Sequence, residues 1–164
     1  MNKFLIKTRL QNIAIACGIA IFFIVDRGLK MFAQHQGPES YFKIIKNIFL
    51  FRFTPNPYIS FSIPFSGILL NIIIILIILG LILYVFYLIL NKKYSHLNPQ
   101  ERKITVIFLT IIIIGAISNI LDRLLFGYVI DYLELKHFTV FNIADIMISV
   151  GTIIIIIKNL NQKK

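Results

Sequence analysis

The chain has 164 residues, 58% of them hydrophobic, and its mean hydropathy is +0.85. A soluble domain of this length does not need so much apolar side chain to fill its core, so the composition predicts an integral membrane protein. The formal net charge of +10 is distributed among the ends of apolar stretches. No basic groove is implied, and we expect no nucleic-acid partner.

Four apolar stretches are long enough to cross about 30 Å of hydrocarbon as helices. Helices are the expected spanning elements because water cannot satisfy backbone groups inside a bilayer. The predicted spans are about 12–32, 68–90, 104–126 and 140–157, with an extracytoplasmic sheet region at about 33–66. The predicted fold is therefore a membrane all-α protein, a four-transmembrane-helix bundle with a small extracytoplasmic β-sheet on its outer face. Residues 1–164 are expected to form a single integral membrane domain.

The basic residues indicate the orientation of these spans. If the spans alternate in direction, ten of the seventeen basic residues fall on one side. They are Lys3, Lys7, Arg9, Lys92, Lys93, Arg102, Lys103, Lys158, Lys163 and Lys164. The positive-inside rule then predicts that both termini are cytoplasmic. Contact between these residues and lipid headgroups is also expected.

The segment between the first two spans is too polar and too broken to cross a membrane. Alternating apolar residues predict short strands at 49–54 and 59–63, joined through the Pro-Asn-Pro of residues 55–57. Such a sheet could present an extended peptide to a site by strand addition, or it could simply cap the bundle. A short interfacial helix over 41–49 is an alternative for the first part of the segment.

Four aspartates fall near the outer ends of the predicted spans, namely Asp26, Asp122, Asp131 and Asp145. An ionisable group at this depth is costly unless it faces a cavity or a partner, so function is the default hypothesis. Structural ion pairs are the alternative for two of them. Asp26 and Lys30 are four residues apart on one helical face, and Arg123 follows Asp122 directly.

Polar residues recur at helical spacing on the third and fourth spans. The third span has Gly115, Asn119, Asp122 and Arg123, and the fourth has Asn142, Asp145 and Ser149. A spacing of three to four residues places each set on one helix face, which we expect to turn away from lipid. The two stripes predict a polar pocket that opens outward, with Gly115 allowing the helices to approach closely.

Asp131 and Asp145 have no basic residue at helical spacing to neutralise them. Two carboxyl groups in one partly desolvated pocket cannot both ionise cheaply, so they tend to share a proton and to titrate as a pair. A pair with one ionised and one protonated aspartate is the arrangement with which aspartic proteases activate water. The spacing therefore suggests a peptidase.

Three other kinds of activity remain open from the residues alone. Intramembrane aspartates also relay protons in transporters and channels, although the polar residues crowd one end of the predicted bundle. A metal hydrolase would need histidine at ligand spacing with an acid, which His35, His96 and His137 do not provide. A serine mechanism could use Ser60 or Ser118, but neither has an evident base at helical spacing. We expect no metal and no cofactor.

Five motifs occur in the order and at the places found in one family. They are DRGLK (26–30), NPYISF (56–61), GAISNILDR (115–123), VIDY (129–132) and FNIAD (141–145). On these motifs the chain resembles the lipoprotein signal peptidases, also called signal peptidase II, over essentially its whole length. Two departures are visible: Tyr58 stands where the family pattern has glycine, and the interval between the two aspartate motifs is shorter than usual.

The resemblance implies a metal-independent aspartic endopeptidase of the bacterial cytoplasmic (inner) membrane, with its active site on the extracytoplasmic side. The enzyme would remove the signal peptide from diacylglyceryl-modified prolipoproteins, just before the lipidated cysteine. Asp131 and Asp145 would be catalytic. Asn56, Asn119, Arg123 and Asn142 would position the substrate or cyclic peptide inhibitors such as globomycin, whereas Asp26, Lys30, Asp122 and Gly115 would give structural support. Membrane lipid is the other expected partner.

Overall fold

The structure is a computed structural model that describes residues 3–46, 48–58, 67–91 and 97–161. Within these ranges it contains four helices and four strands. In chain order they are α1 (Lys3–Gln36), β1 (Tyr41–Ile45), β2 (Phe49–Asn56), α2 (Ile68–Leu90), α3 (Pro99–Phe126), β3 (Val129–Leu135), β4 (Thr139–Phe141) and α4 (Ile143–Asn161). Each helix contains a stretch that is long and apolar enough to cross a membrane. The predicted fold class is confirmed.

The helix ends differ from the predicted spans by a few residues. α1 continues beyond 12–32 in both directions, and α3 begins at Pro99 because Asn98 and Glu101 form a capping box at its start. α4 begins at Ile143 rather than at about 140. Residues 139–141 are instead strand β4, which pairs with β3 through Leu133 and Phe141.

The strands form one antiparallel sheet in the order β1-β2-β3-β4. The predicted strand at 49–54 is confirmed as β2, whereas the predicted strand at 59–63 lies outside the described residues. The alternative helix at 41–49 is wrong, because 41–45 is β1 and pairs with β2. The sheet is also not confined to 33–66, since β3 and β4 lie between the last two helices. A short apolar run such as 129–135 does not by itself distinguish strand from helix.

An aromatic cluster fixes the sheet to the end of α1. The Phe51 ring lies 5.4 Å from that of Tyr132 and 5.7 Å from that of Phe32, and Phe32 stacks with Phe42 at 6.1 Å. Ala33 is fully buried in the same core. Aromatic pairs at these separations add stabilisation beyond the area that they bury. The cluster therefore holds β3 against the part of α1 that carries Asp26 and Lys30.

Gly115 lies at a close approach of α3 to α4. A Cβ atom placed on Gly115 would lie 2.7 Å from the backbone oxygen of Ala144. Backbone atoms of a helix cannot move aside as a flexible side chain can, so glycine is required for this packing. The expectation that Gly115 permits close helix approach agrees with this contact.

Gly115→Ala is expected to lower the free energy of unfolding by about 1–3 kcal/mol through overpacking. Gly80→Ala on α2 is the matched control, because a Cβ atom on Gly80 has no other atom within 4 Å. Thermal unfolding of both variants in the same detergent measures the difference. Equal unfolding midpoints for Gly115→Ala and the unsubstituted protein would contradict the close packing.

Candidate active site

The start of α4 fixes one of the two predicted catalytic aspartates. The side-chain oxygen of Asn142 accepts a hydrogen bond from the Asp145 backbone N–H at 2.9 Å, and the Asp145 carboxylate accepts one from the Asn142 backbone N–H at 3.3 Å. This reciprocal pair is a capping box, which satisfies two N–H groups at the helix start. The cap holds the Asp145 carboxylate at the end of the helix.

Asp131 lies on β3 beside this helix end and is only 2% exposed. One carboxylate oxygen accepts a hydrogen bond from Asn142 Nδ2 at 2.7 Å, and the other accepts one from Asn56 Nδ2 at 2.9 Å. Asn142 therefore contacts both aspartates, with its amide nitrogen on Asp131 and its oxygen and backbone N–H on Asp145. One side chain couples the positions of the two acids.

Asn119 on α3 connects Asp145 to a buried lysine. The Asn119 side-chain oxygen accepts hydrogen bonds from Lys30 Nζ at 2.8 Å and from Asn142 Nδ2 at 3.2 Å. Because this oxygen faces two donors, the Asn119 amide nitrogen is directed at Asp145 and donates to its carboxylate at 2.8 Å. Lys30 thus sets the orientation of a side chain that binds one of the two acids.

Lys30 is fully buried, and its ion pairs connect α1 to α3. Its Nζ atom lies 3.1 Å from the Asp26 carboxylate and 2.8 Å from the Asp122 carboxylate. Asp122 is also paired with Arg27. Two buried acids are therefore balanced by two bases, which offsets the cost of removing these charges from water. The predicted Asp26–Lys30 ion pair is present.

The predicted partner of Asp122 is wrong. Asp122 pairs with Arg27 and Lys30 from α1, and it also accepts a hydrogen bond from the backbone N–H of Ile130 at 3.3 Å. Arg123 follows Asp122 in sequence, but consecutive residues on a helix point in different directions and do not face each other. Asp122 thereby ties α1 and α3 to the strand residue that precedes Asp131.

Three residues that hold this network were not predicted from the sequence as site residues, namely Arg27, Ser118 and Tyr132. Ser118 Oγ and the Tyr132 hydroxyl donate to the Asp26 carboxylate at 2.6 Å and 2.9 Å. The Tyr132 hydroxyl also accepts a hydrogen bond from the Ile143 backbone N–H at 3.1 Å. Burial, followed by the nearby Asp26 charge, raises the pKa of Tyr132, so its hydroxyl stays protonated as a donor. Ser118 lies four residues before Asp122, so its position on the polar face of the third span could have been found from helical spacing. Tyr132 lies on a strand, where helical spacing gives no indication of its role.

Arg123 contacts the chain beside Asn56. Its guanidinium donates to the backbone oxygens of Pro57 and Tyr58. Asn56 is fixed in turn, because its side-chain oxygen accepts a hydrogen bond from the Tyr58 backbone N–H at 3.0 Å. Of the non-glycine residues that the structure describes, His137 is the one with positive φ. Tyr58 therefore occupies the family's glycine position without a left-handed backbone.

The environment of Asp131 favours a proton on its side chain. Burial is the largest cause and the neighbouring Asp145 the second, and together they raise the pKa of Asp131 to about 7. The hydrogen bonds from Asn56 and Asn142 act in the opposite direction, because they stabilise the ionised form. A carboxyl group that titrates near neutral pH is able both to donate and to accept a proton.

Two cavities meet beside the aspartates. One, of about 510 Å³, is lined by Asp131 together with residues of β2 and the β3–β4 turn. The other, of about 300 Å³, is lined by Asp145 and by the α4 residues 146 and 148–150, which include Ser149. Asn56, Phe138, Thr139 and Val140 line both cavities. Asp131 lines the first cavity and Asp145 the second, so each acid lies in the wall of one of two adjoining cavities.

The metal and serine alternatives each require particular side chains, whose positions the structure gives in part. Among the described residues, no group of three or more His, Cys, Asp or Glu side chains is arranged to hold a metal ion. Ser118 is buried, and its hydroxyl lies between Asp26 and Lys30 as a structural donor and acceptor. It has no access to a substrate there. Ser60 lies outside the described residues.

Known proteins match the chain over most of its length. Residues 18–161 match the family described as signal peptidase (SPase) II. The lipoprotein signal peptidase of Clostridium tetani is 37% identical over 145 residues, covering 85% of this chain and 87% of the relative. The lipoprotein signal peptidase of Clostridium novyi is 34% identical over 155 residues, covering 89% of this chain and 97% of the relative. A bacterial membrane enzyme solved by the in meso method at 2.3 Å has the same fold, with a TM-score of 0.74, 24% identity and coverage of 92% and 90%. The chain therefore belongs to the signal peptidase II family and is a multi-pass membrane peptidase.

Proposed function

We propose that this signal peptidase is an aspartic endopeptidase that removes the signal peptide from diacylglyceryl-modified prolipoproteins, cutting just before the lipidated cysteine. The observation that carries the proposal is the pair of acids joined by Asn142, with Asp131 and Asp145 on either side of one amide group. Neither acid is paired with a lysine or arginine in the part of the chain that the structure describes. Such a pair keeps one proton near neutral pH.

The pair supplies both functions that peptide hydrolysis needs. The ionised carboxylate takes a proton from a water molecule, whose oxygen attacks the carbonyl carbon of the scissile bond. The protonated carboxyl group gives its proton to the carbonyl oxygen as the tetrahedral intermediate forms. When the intermediate collapses, the carbon–nitrogen bond breaks and the amine of the cysteine takes a proton from the pair, while one hydroxyl group of the intermediate returns its proton to the pair as the new carbonyl bond forms. The products are the signal peptide carboxylate and a free α-amino group, and the pair again holds one proton.

The polar side chains around the acids have three roles in this proposal. Asn119 and Asn142 hold the carboxylates, as their hydrogen bonds indicate. Asn56 lines both cavities and is placed to contact a peptide that extends between them. Arg123 maintains the Asn56 segment through the carbonyls of Pro57 and Tyr58. Cyclic peptides such as globomycin, expected from the family, would occupy the same position as the substrate.

The proposed setting is the bacterial cytoplasmic (inner) membrane, with residues 1–164 forming one integral membrane domain. The clustering of basic residues at one set of helix ends supports cytoplasmic termini. The aspartates then lie near the opposite, extracytoplasmic surface. A substrate whose diacylglyceryl group is held in the outer leaflet would have its scissile bond at the same depth. Lipid anchoring would thus orient the bond toward the acids.

A defined peptide tests the proposed activity. Purified protein in detergent is given two synthetic prolipoprotein peptides that differ only in the diacylglyceryl group on cysteine, and mass spectrometry identifies the products. We expect the lipidated peptide to be cut between the cysteine and the preceding residue, and the unmodified peptide to be cut far more slowly. Cleavage at another bond, or equal rates for both peptides, would contradict the proposed specificity. Loss of activity with a chelator would favour the metal alternative.

The proposed mechanism predicts that activity falls above about pH 7, because Asp131 then loses its proton and the pair has none to give. We expect kcat/KM to decrease about tenfold per pH unit above this pH.

The free energy of unfolding changes with the same sign. An acid whose pKa is raised in the folded protein binds more protons folded than unfolded, so the contribution of Asp131 to stability falls as pH rises from about 4 to about 7. A pH series of kcat/KM, with unfolding midpoints measured alongside, separates the two effects. A constant kcat/KM up to about pH 9 would contradict the raised pKa.

A further inference from the structure

A further cavity, whose lining includes neither Asp131 nor Asp145, lies between α1, α2 and α3. This groove has a volume of about 740 Å³. Its walls are apolar along most of its length and include Ile15, Ile19 and Phe23 from α1 and Val106 and Ile114 from α3. The groove exists because α1 packs tightly only near the active site. In the described stretch 9–25 of α1, no side chain is buried, whereas Asp26, Lys30 and Ala33 are fully buried.

The groove has the length of one lipid leaflet. Its wall on α1 runs from Asn12 to Phe23, which at 1.5 Å per residue corresponds to roughly 16 Å. Half of the hydrocarbon core of a bilayer is about 15 Å thick. An acyl chain that enters at one membrane surface would therefore fill the groove to its far end, near the bilayer centre.

The groove also has a distinct polar end. Asn12, Arg102 and Lys103 line it there, next to the start of α3, and Lys103 is exposed. Two basic side chains at the membrane surface above an apolar slot match the chemistry of an anionic phospholipid, with a phosphate above two acyl chains.

We propose that this groove is a binding site for an anionic phospholipid of the leaflet at its basic end. The phosphate contacts Arg102 and Lys103, and the acyl chains pack between α1 and α3. Bound lipid fills the space beside the loosely packed half of α1, whose other end supplies Asp26 and Lys30 to the acid network. The phospholipid is a structural ligand, distinct from the substrate, and its site includes none of the residues that contact Asp131 or Asp145.

Native mass spectrometry of delipidated protein in a neutral maltoside detergent tests the site. Phosphatidylglycerol and phosphatidylcholine with identical acyl chains are added separately, and bound lipid is counted. We expect one copy of phosphatidylglycerol to bind and to raise the unfolding midpoint measured by circular dichroism, with much weaker binding of phosphatidylcholine. Equal binding of the two lipids would overturn the proposal. Glycerol 3-phosphate alone is expected to give no stabilisation, and a shift as large as that given by the lipid would also overturn it.

Two kinds of variant separate the headgroup from the acyl chains. Arg102→Gln/Lys103→Gln is expected to weaken phosphatidylglycerol binding roughly 25-fold, from the usual contribution of two basic residues at an anionic surface. Lys43→Gln/Lys46→Gln is the matched control, because it removes the same charge from exposed residues near the sheet. Ala20→Phe keeps every charge but fills the groove, and it should also abolish retention of the lipid. Unchanged binding to Ala20→Phe, or equal weakening in the lysine control, would overturn the assignment.

Discussion

Asp131→Asn and Asp145→Asn are each expected to lower kcat/KM for the lipidated peptide about a thousandfold or more. Each substitution removes a group that must hold or accept the shared proton, and asparagine can do neither near neutral pH. The two acids act as one unit, so kcat/KM of the double variant should be no lower than that of the less active single variant. Cleavage rates of the three variants with one substrate peptide measure this directly.

Folding must be checked beside activity for this prediction. Both oxygens of Asp131 accept hydrogen bonds from amide groups, whereas asparagine offers only one acceptor oxygen, so a modest loss of stability accompanies the substitution. Unfolding midpoints measured with the same preparations separate this effect from chemistry. Glu39→Gln is the control, because it removes an exposed carboxylate elsewhere in the chain. Near-normal cleavage by either aspartate variant would exclude the paired-acid mechanism.

The helical part of the site was predictable from spacing. Asn119 and Arg123 follow Gly115 at four-residue steps, and such a polar stripe in an apolar helix must face protein or a cavity. In the structure Gly115 contacts the start of α4, and Asn119 reaches Asp145 across the same interface. Asn142 and Asp145 are three residues apart because they form the two halves of one helix cap. The periodicity of polar residues along the third and fourth spans therefore predicted which side chains meet between α3 and α4.

The remaining contacts depend on tertiary structure that periodicity does not report. The Asp26–Lys30 pair follows from a four-residue spacing, but the bonds from Lys30 to Asp122 and Asn119 cross from α1 to α3. Tyr132 reaches Asp26 only because β3 folds back against α1. Strands were predicted only within residues 33–66, since two short strands joined by a tight turn leave little pattern in sequence. The topology of the β3–β4 hairpin decides which residues surround Asp131.

Lys30→Met is expected to destabilise the protein by about 3–5 kcal/mol, because the substitution removes the cation that two buried carboxylates share. Asp26 would lose its ion-pair partner, and Asp122 would keep only Arg27. A loss of this size is comparable with the whole stability of many domains, about 5–15 kcal/mol. The yield of monodisperse protein and its unfolding midpoint should both fall sharply.

Two further variants distinguish loss of this charge network from a general effect of removing lysine. Lys43→Met removes an exposed lysine from β1 and is expected to leave the unfolding midpoint unchanged. Lys30→Met/Asp26→Asn removes the cation together with one acid, so it should recover part of the lost stability because Asp122 and Arg27 then balance each other. The folded fraction of the double variant should still cleave slowly, because Asn119 has lost the donor that directs its amide group toward Asp145. If Lys30→Met unfolded at the same temperature as Lys43→Met, Lys30 would have no structural role in the network.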